Sequence, residues 1–188
     1  NAKAPAIVDG ETRVFDSNAI LMYLSEKHGK LAGKPENRAE MLSWLMFIAS
    51  GLGPYSGQSV HFRHMAPEGL DYAVNRYLRE AQRHYEVLDA HLEGRDFIVG
   101  DEYTIADMAI WPWYGALVTN KVYEAAEFIE AHTYKNVLRW TEQISKRPAV
   151  ERGRKVNRAW GDPSSQLWER HDASDFELRT LDKLQANQ

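Results

Sequence analysis

The chain has 188 residues, 44% of them hydrophobic and 27% charged, with a formal net charge of -4. That length supports one or two domains with a sizeable core, and the balance of residues excludes a disordered chain. The mild negative charge offers no footprint for nucleic acid or an anionic membrane, and no apolar run approaches the roughly 18 residues of a membrane span.

There are no cysteines. This fits a cytoplasmic protein and leaves any thiol chemistry to the sulfur of a ligand or of a missing segment. The chain begins on "NAKAP" without Met, so its start reads as truncated. "PAIVD" and "TRVF" read as two short strands, and Asp9-Gly10 between them is a strong hairpin signal. An isolated hairpin is marginal in water, so residues upstream of Asn1 are expected to complete the sheet.

A helix is predicted from Ser17, with Ile20, Leu21 and Leu24 at helical spacing and Gly29 as its stop. Asp16 and Ser17 both suit a helix start, although a cap needs only one of them. "GKLAGKPEN" is a linker, and after it the chain reads as all-helical. "ENRAEMLSWLMFIASGLG" carries Met41, Leu42, Leu45, Ile48 and Ala49 on one face before a glycine stop, and "GPYSGQSVHFRHMAPEG" reads as a long loop or broken helix. A long amphipathic helix follows from Leu70 to Gly94. Its stripe is Val74, Tyr77, Leu78, Ala81, Tyr85, Leu88 and Leu92, with His84 and His91 expected as surface or partly buried helix residues.

Thr104 and Asp107 form a capping-box pattern ahead of "MAIWPWYGALV", a helix apolar nearly all round and therefore central. Asp107 reads as a fold-supporting cap, not a catalytic group. Pro112 predicts a kink or register break there. A further helix over "YKNVLRWTEQISKR" leads to a short one opened by Pro148. Beyond Trp160 the chain reads as a partly packed tail. His61 and His64 stand three apart, but no third ligand is evident, so no metal is expected.

The order of "APAIVD", "DSNAILMYL", a linker and "TIADMAIWPW" resembles the cytosolic glutathione transferase family over about residues 1 to 160. "GLGPYSGQSVHF" and "YAVNRYLREAQRHYEVLDAHL" look more like its bacterial Nu-class branch, which includes glutathione-dependent disulfide-bond reductases. The resemblance implies an α+β chain: the C-terminal part of a thioredoxin-like domain (1–29), a linker (30–35), an all-α helical-bundle domain (36–160) and a tail (161–188). It implies a cis Ala4–Pro5 bond whose Ala4 backbone pairs with glutathione, with Asp16 facing the γ-glutamyl ammonium and Ser17 with the free helix-start N–H groups facing the carboxylate. Where the branch usually has Glu, Asp16 is one methylene shorter. Arg76 is expected to reach the glutathione of the second copy in a homodimer. Tyr55, Gln58, Phe62, Trp111 and Tyr114 are the expected lining of the second-substrate pocket. The group that activates the glutathione thiol belongs to a βαβ part expected upstream, so no catalytic residue is assigned. The function implied is a glutathione-dependent transferase or disulfide-bond oxidoreductase, with glutathione as co-substrate. A non-catalytic binding or regulatory relative is the alternative.

Overall fold

The computed structural model describes residues 4–119 and 123–156. β1 (Ala6–Asp9) and β2 (Thr12–Phe15) form an antiparallel hairpin with Ala6 opposite Phe15 and Asp9 opposite Thr12. Gly10 takes the left-handed turn position at φ 61° that a side chain would resist. α1 (Ser17–His28) folds back on the hairpin, where Tyr23 donates to Asp9 Oδ2 at 2.9 Å and Lys27 pairs with the same oxygen. Those two donors hold the Asp9 carboxyl below its usual range, Lys27 contributing most. α1 ends at Gly29, left-handed at φ 62°, as a helix stop does.

The helical part runs through α2 (Arg38–Phe47), α3 (Gly53–His64), α4 (Asp71–His91), α5 (Ile105–Val118), α6 (Ala125–Phe128), α7 (Lys135–Ser145) and α8 (Pro148–Gly153). Of the two readings of residues 53–69, a long loop or a broken helix, the structure has the helix, α3, which stops at His64. A π turn over Ile48–Leu52 joins α2 to α3, with Gly53 N–H donating to Ile48 O. The cause is Pro54, which lacks an N–H and would strike the carbonyl four residues back in a regular helix. One widened turn admits it without ending the helix. Pro112 likewise leaves α5 unbroken over its 14 residues.

The chain divides into two compact units, Asn1–Glu142 and Gln143–Gln188. In the first, the core is built from Leu45, Leu52, Tyr85, Leu88, Ile110, Tyr114 and Trp140, all fully buried. α5 passes through it: Gly115 lets the helix approach so closely that a Cβ there would stand 2.9 Å from Trp111 Nε1 and 3.1 Å from Thr141 Cγ2. Asp89 of α4 caps α7, accepting from the N–H groups of Asn136 and Val137 at 2.8 and 3.0 Å. In the second unit, α8 opens on Pro148 as predicted, and the tail expected over 161–188 lies outside the described residues.

Candidate functional site

Two helix starts show what the sequence does with a cap. At α5 the capping box is complete and closed. Asp107 accepts from Thr104 N–H at 3.0 Å, Ile98 N–H at 3.1 Å and Trp140 Nε1 at 2.9 Å, and Thr104 Oγ1 accepts from Ala106 N–H at 3.3 Å. Burial pushes the Asp107 carboxyl above its usual range, and these donors oppose that rise. The remaining N–H at the α5 start donates to Leu31 O at 3.0 Å, which ties the linker to α5. Every group here faces inward, so the site is structural.

The α1 start is open. The Ala4–Pro5 bond is cis, β1 begins at the next residue, and Ala4, Pro5, Asp16 and Ser17 are all exposed. Asp16 sits at φ 74° and ψ 131°, a backbone region that suits glycine and costs other residues about 1–3 kcal/mol. In that conformation Oδ1 accepts from Asn18 N–H at 2.8 Å and Ala19 N–H at 3.2 Å. The carboxylate therefore uses two of the helix-start N–H groups that were expected to face a ligand. Among the described residues, Asp16 Oδ2 and the Ser17 N–H and hydroxyl keep no hydrogen-bond partner. The corner thus presents an anionic oxygen beside two donors at the positive end of a helix. That arrangement matches a group carrying both an ammonium and a carboxylate. One residue on, buried Asn18 donates through Nδ2 to Leu45 O at 3.1 Å, which fixes the corner to α2.

The residues expected to line a second-substrate pocket do not come together. Tyr55 and Phe62 lie on the α3 face turned to α4: Phe62 stacks on Tyr77 at 5.1 Å, and Tyr55 stands 6.1 Å from the same ring. Trp111 donates to Thr141 O at 3.1 Å. Tyr114 is wholly buried, accepts from Ser56 Oγ at 3.3 Å, and packs on Tyr85 with ring centroids 4.1 Å apart. Burial pushes its phenol well above the usual range, so it stays protonated. Gln58 is exposed.

A cavity of about 280 Å³ opens on the other side of α3, lined by Ser56, Val60, His61, Met65, Pro112 and Trp113 among others. Tyr123 and Leu117 complete its wall. None of the five expected residues lines this cavity. Ser56 and Gly57 are small and leave room between α3 and α5, and Val60 and His61 stand one turn on.

Arg76 is on α4 with its side chain 54% exposed, and its Nη1 stands 3.9 Å from Glu80 Oε2. Arg83 donates to Glu80 Oε1 from Nε at 3.0 Å and Nη2 at 2.6 Å, holding the Glu80 carboxyl below its usual range. His84, expected as a surface or partly buried residue, is wholly buried at 1% exposure against Phe47 and Tyr55, with Nε2 2.9 Å from Arg83 Nη2. Burial, then Arg83, lowers its basicity. His91 is partly buried, and its Nε2 meets Ile98 O at 2.6 Å.

His61 and His64 share the last turn of α3, where His64 packs near Tyr123 and Phe128. Among the described residues no group of three or more His, Cys, Asp or Glu could hold a metal ion, and no helix is long and apolar enough to cross a membrane.

The family model "Glutathione S-transferase, C-terminal domain" matches residues 71–143. The disulfide-bond oxidoreductase YghU of Escherichia coli is 49% identical over 191 residues, covering 98% of this chain and 66% of that protein. The disulfide-bond oxidoreductase YfcG of the same organism is 43% identical over 158 residues, covering 80% and 70%. A crystal structure of glutathione transferase YghU from Streptococcus pneumoniae, complexed with glutathione, is similar with a TM-score of 0.77 and 43% identity over 81% of this chain and 61% of that one. The chain thus spans about two thirds of the length of the curated relatives it matches.

Proposed function

The chain belongs to the glutathione S-transferase family, and from that premise we propose that it binds glutathione at the Ala4 to Ser17 corner and reduces disulfides with it. The observation that carries this reading is the Asp16 turn. A plain cap would not need a glycine-like backbone at an exposed aspartate, and it would not leave Oδ2 and both Ser17 donors open. Asp16 Oδ2 receives the γ-glutamyl ammonium. Ser17 receives the neighbouring carboxylate with its N–H and hydroxyl, helped by the helix dipole. The extended backbone after Ala4–Pro5 pairs with the cysteinyl unit.

The chemistry is thiol–disulfide exchange. The thiolate of bound glutathione attacks the glutathionyl sulfur of a mixed disulfide RS–SG. The old S–S bond breaks, GS–SG forms, and RS⁻ leaves and takes up a proton from solvent. This chain offers no cysteine, and the proposal gives the attack to the sulfur of glutathione itself. The names of the two Escherichia coli relatives favour this reaction over conjugation. The acceptor enters the cavity between α3 and α5, where Val60, Met65, Pro112 and Trp113 give an apolar wall. The protein works as a cytoplasmic homodimer in which Arg76 meets the glutathione of the second copy. The division at the 30–35 linker separates the glutathione-binding part from the helical domain.

Turnover by the complete polypeptide tests this. A glutathionylated small thiol should be reduced faster than a chlorinated nitroaromatic is conjugated. Tight glutathione binding with no turnover of either acceptor would leave a non-catalytic binding protein and end the enzymatic reading.

A further inference from the structure

We propose that Glu80 is the positioning residue for Arg76, holding its guanidinium ready on the outer face of α4. The proposal rests on the reading that Arg76 contacts the glutathione of the second copy. Four residues of α4 form a chain from the core outward. His84 is buried, and the ring nitrogen Nε2 accepts from Arg83 at 2.9 Å. Arg83 in turn places two donors on a single oxygen, Glu80 Oε1. This fixes the carboxylate and leaves Oε2 facing Arg76 at 3.9 Å.

The two arginines are held unequally, and that inequality is the argument. Arg83 is clamped through two N–H groups, so it is spent on Glu80. Arg76 is drawn by charge at a longer distance and keeps an exposed guanidinium. Its donors therefore stay available to an incoming carboxylate, while its wandering is restricted. A long side chain ordered beforehand loses less freedom when it binds. Helix stabilisation is the weaker explanation of the pair, because acid before base is the better order at this spacing and here the base comes first. Glu80 is only 20% exposed on its side chain, and Arg83 offsets its charge, so it does not drive a ligand carboxylate away.

The test measures glutathione affinity by titration calorimetry on the complete polypeptide, with melting temperature and oligomeric state followed in parallel. Arg76→Ala should weaken binding about tenfold, the loss of one charge-assisted contact. Glu80→Gln should weaken it by roughly threefold with an unchanged melting temperature, and Glu80→Asp should fall between Gln and the parent. The double variant should bind no worse than Arg76→Ala alone, because Glu80 acts only through Arg76. Additive losses in the double variant, or full affinity in Glu80→Gln beside a weakened Arg76→Ala, would overturn the proposal. Full affinity in Arg76→Ala would instead remove the reading beneath it.

Discussion

The α5 and α1 helix starts use the same residue type for opposite ends. Asp107 is buried, and its oxygens accept from Thr104, Ile98 and Trp140 within the fold. Asp16 is exposed, spends one oxygen on its own helix and presents the other. A saturated, buried cap yields stability, whereas a strained, half-used cap leaves an anionic oxygen and two donors facing outward. The difference lies in burial and backbone, since both residues are aspartates at a helix start.

The strongest way to sharpen that contrast is to remove the closed cap. Asp107→Ala leaves two backbone N–H groups and the Trp140 indole unpaired inside the core. It should cost about 3 kcal/mol or more in chemical denaturation, while the folded fraction keeps its glutathione affinity. A loss under about 1 kcal/mol would mean that the box is not the keystone of α5.

A second contrast comes from pH, which acts on a buried group of the core. Burial lowers the pKa of His84 in the folded state, below the roughly 6.5 of an unfolded histidine. The stability it protects is complete above that value and is lost as pH falls from about 6.5 toward the folded pKa, because the unfolded chain then binds the proton first. The slope is at most about 1.4 kcal/mol per pH unit. Melts between pH 7.5 and 5.5 should show it, and His84→Leu should flatten it. An unchanged slope in the variant would place the titration elsewhere.

The smallest effect concerns the open corner's own backbone. Asp16→Gly gives up the side-chain cap, worth only a few tenths of a kcal/mol against glycine, and relieves the strained φ. Thermal stability should stay level or rise by up to about 1 kcal/mol. A clear fall would show that the turn serves the helix.

Much of this molecule was legible beforehand. The hairpin, the Asp16-Ser17 start, the long α4 and the Thr104–Asp107 box all follow from local residue chemistry, and each forms where its residues predict. What escaped depended on tertiary phase. Gly51, Gly53 and Pro54 read as a break, yet one π turn carries the helix through them. Helical phase turns Tyr55 and Phe62 to Tyr77, while Val60 and His61 line the cavity. His84 lay beside the α4 stripe as a polar residue, and its burial became apparent only with Phe47 and Tyr55 packed over it. The positive φ of Asp16 has no sequence signal, because at ψ 131° it lies outside the left-handed helical region where aspartate is enriched.

The most direct test of the clamp is glutathione titration into Asp16→Asn. Asparagine keeps an acceptor for the Asn18 and Ala19 N–H groups and tolerates positive φ, but it replaces the free anionic oxygen with an amide. The account predicts a melting temperature within about 1 °C of the parent, a change of a few tenths of a kcal/mol. It also predicts glutathione affinity weakened by at least about tenfold, the worth of a hydrogen bond to a charged group. Affinity equal to the parent's in a variant of equal stability would contradict it and return Asp16 to the role of a helix cap.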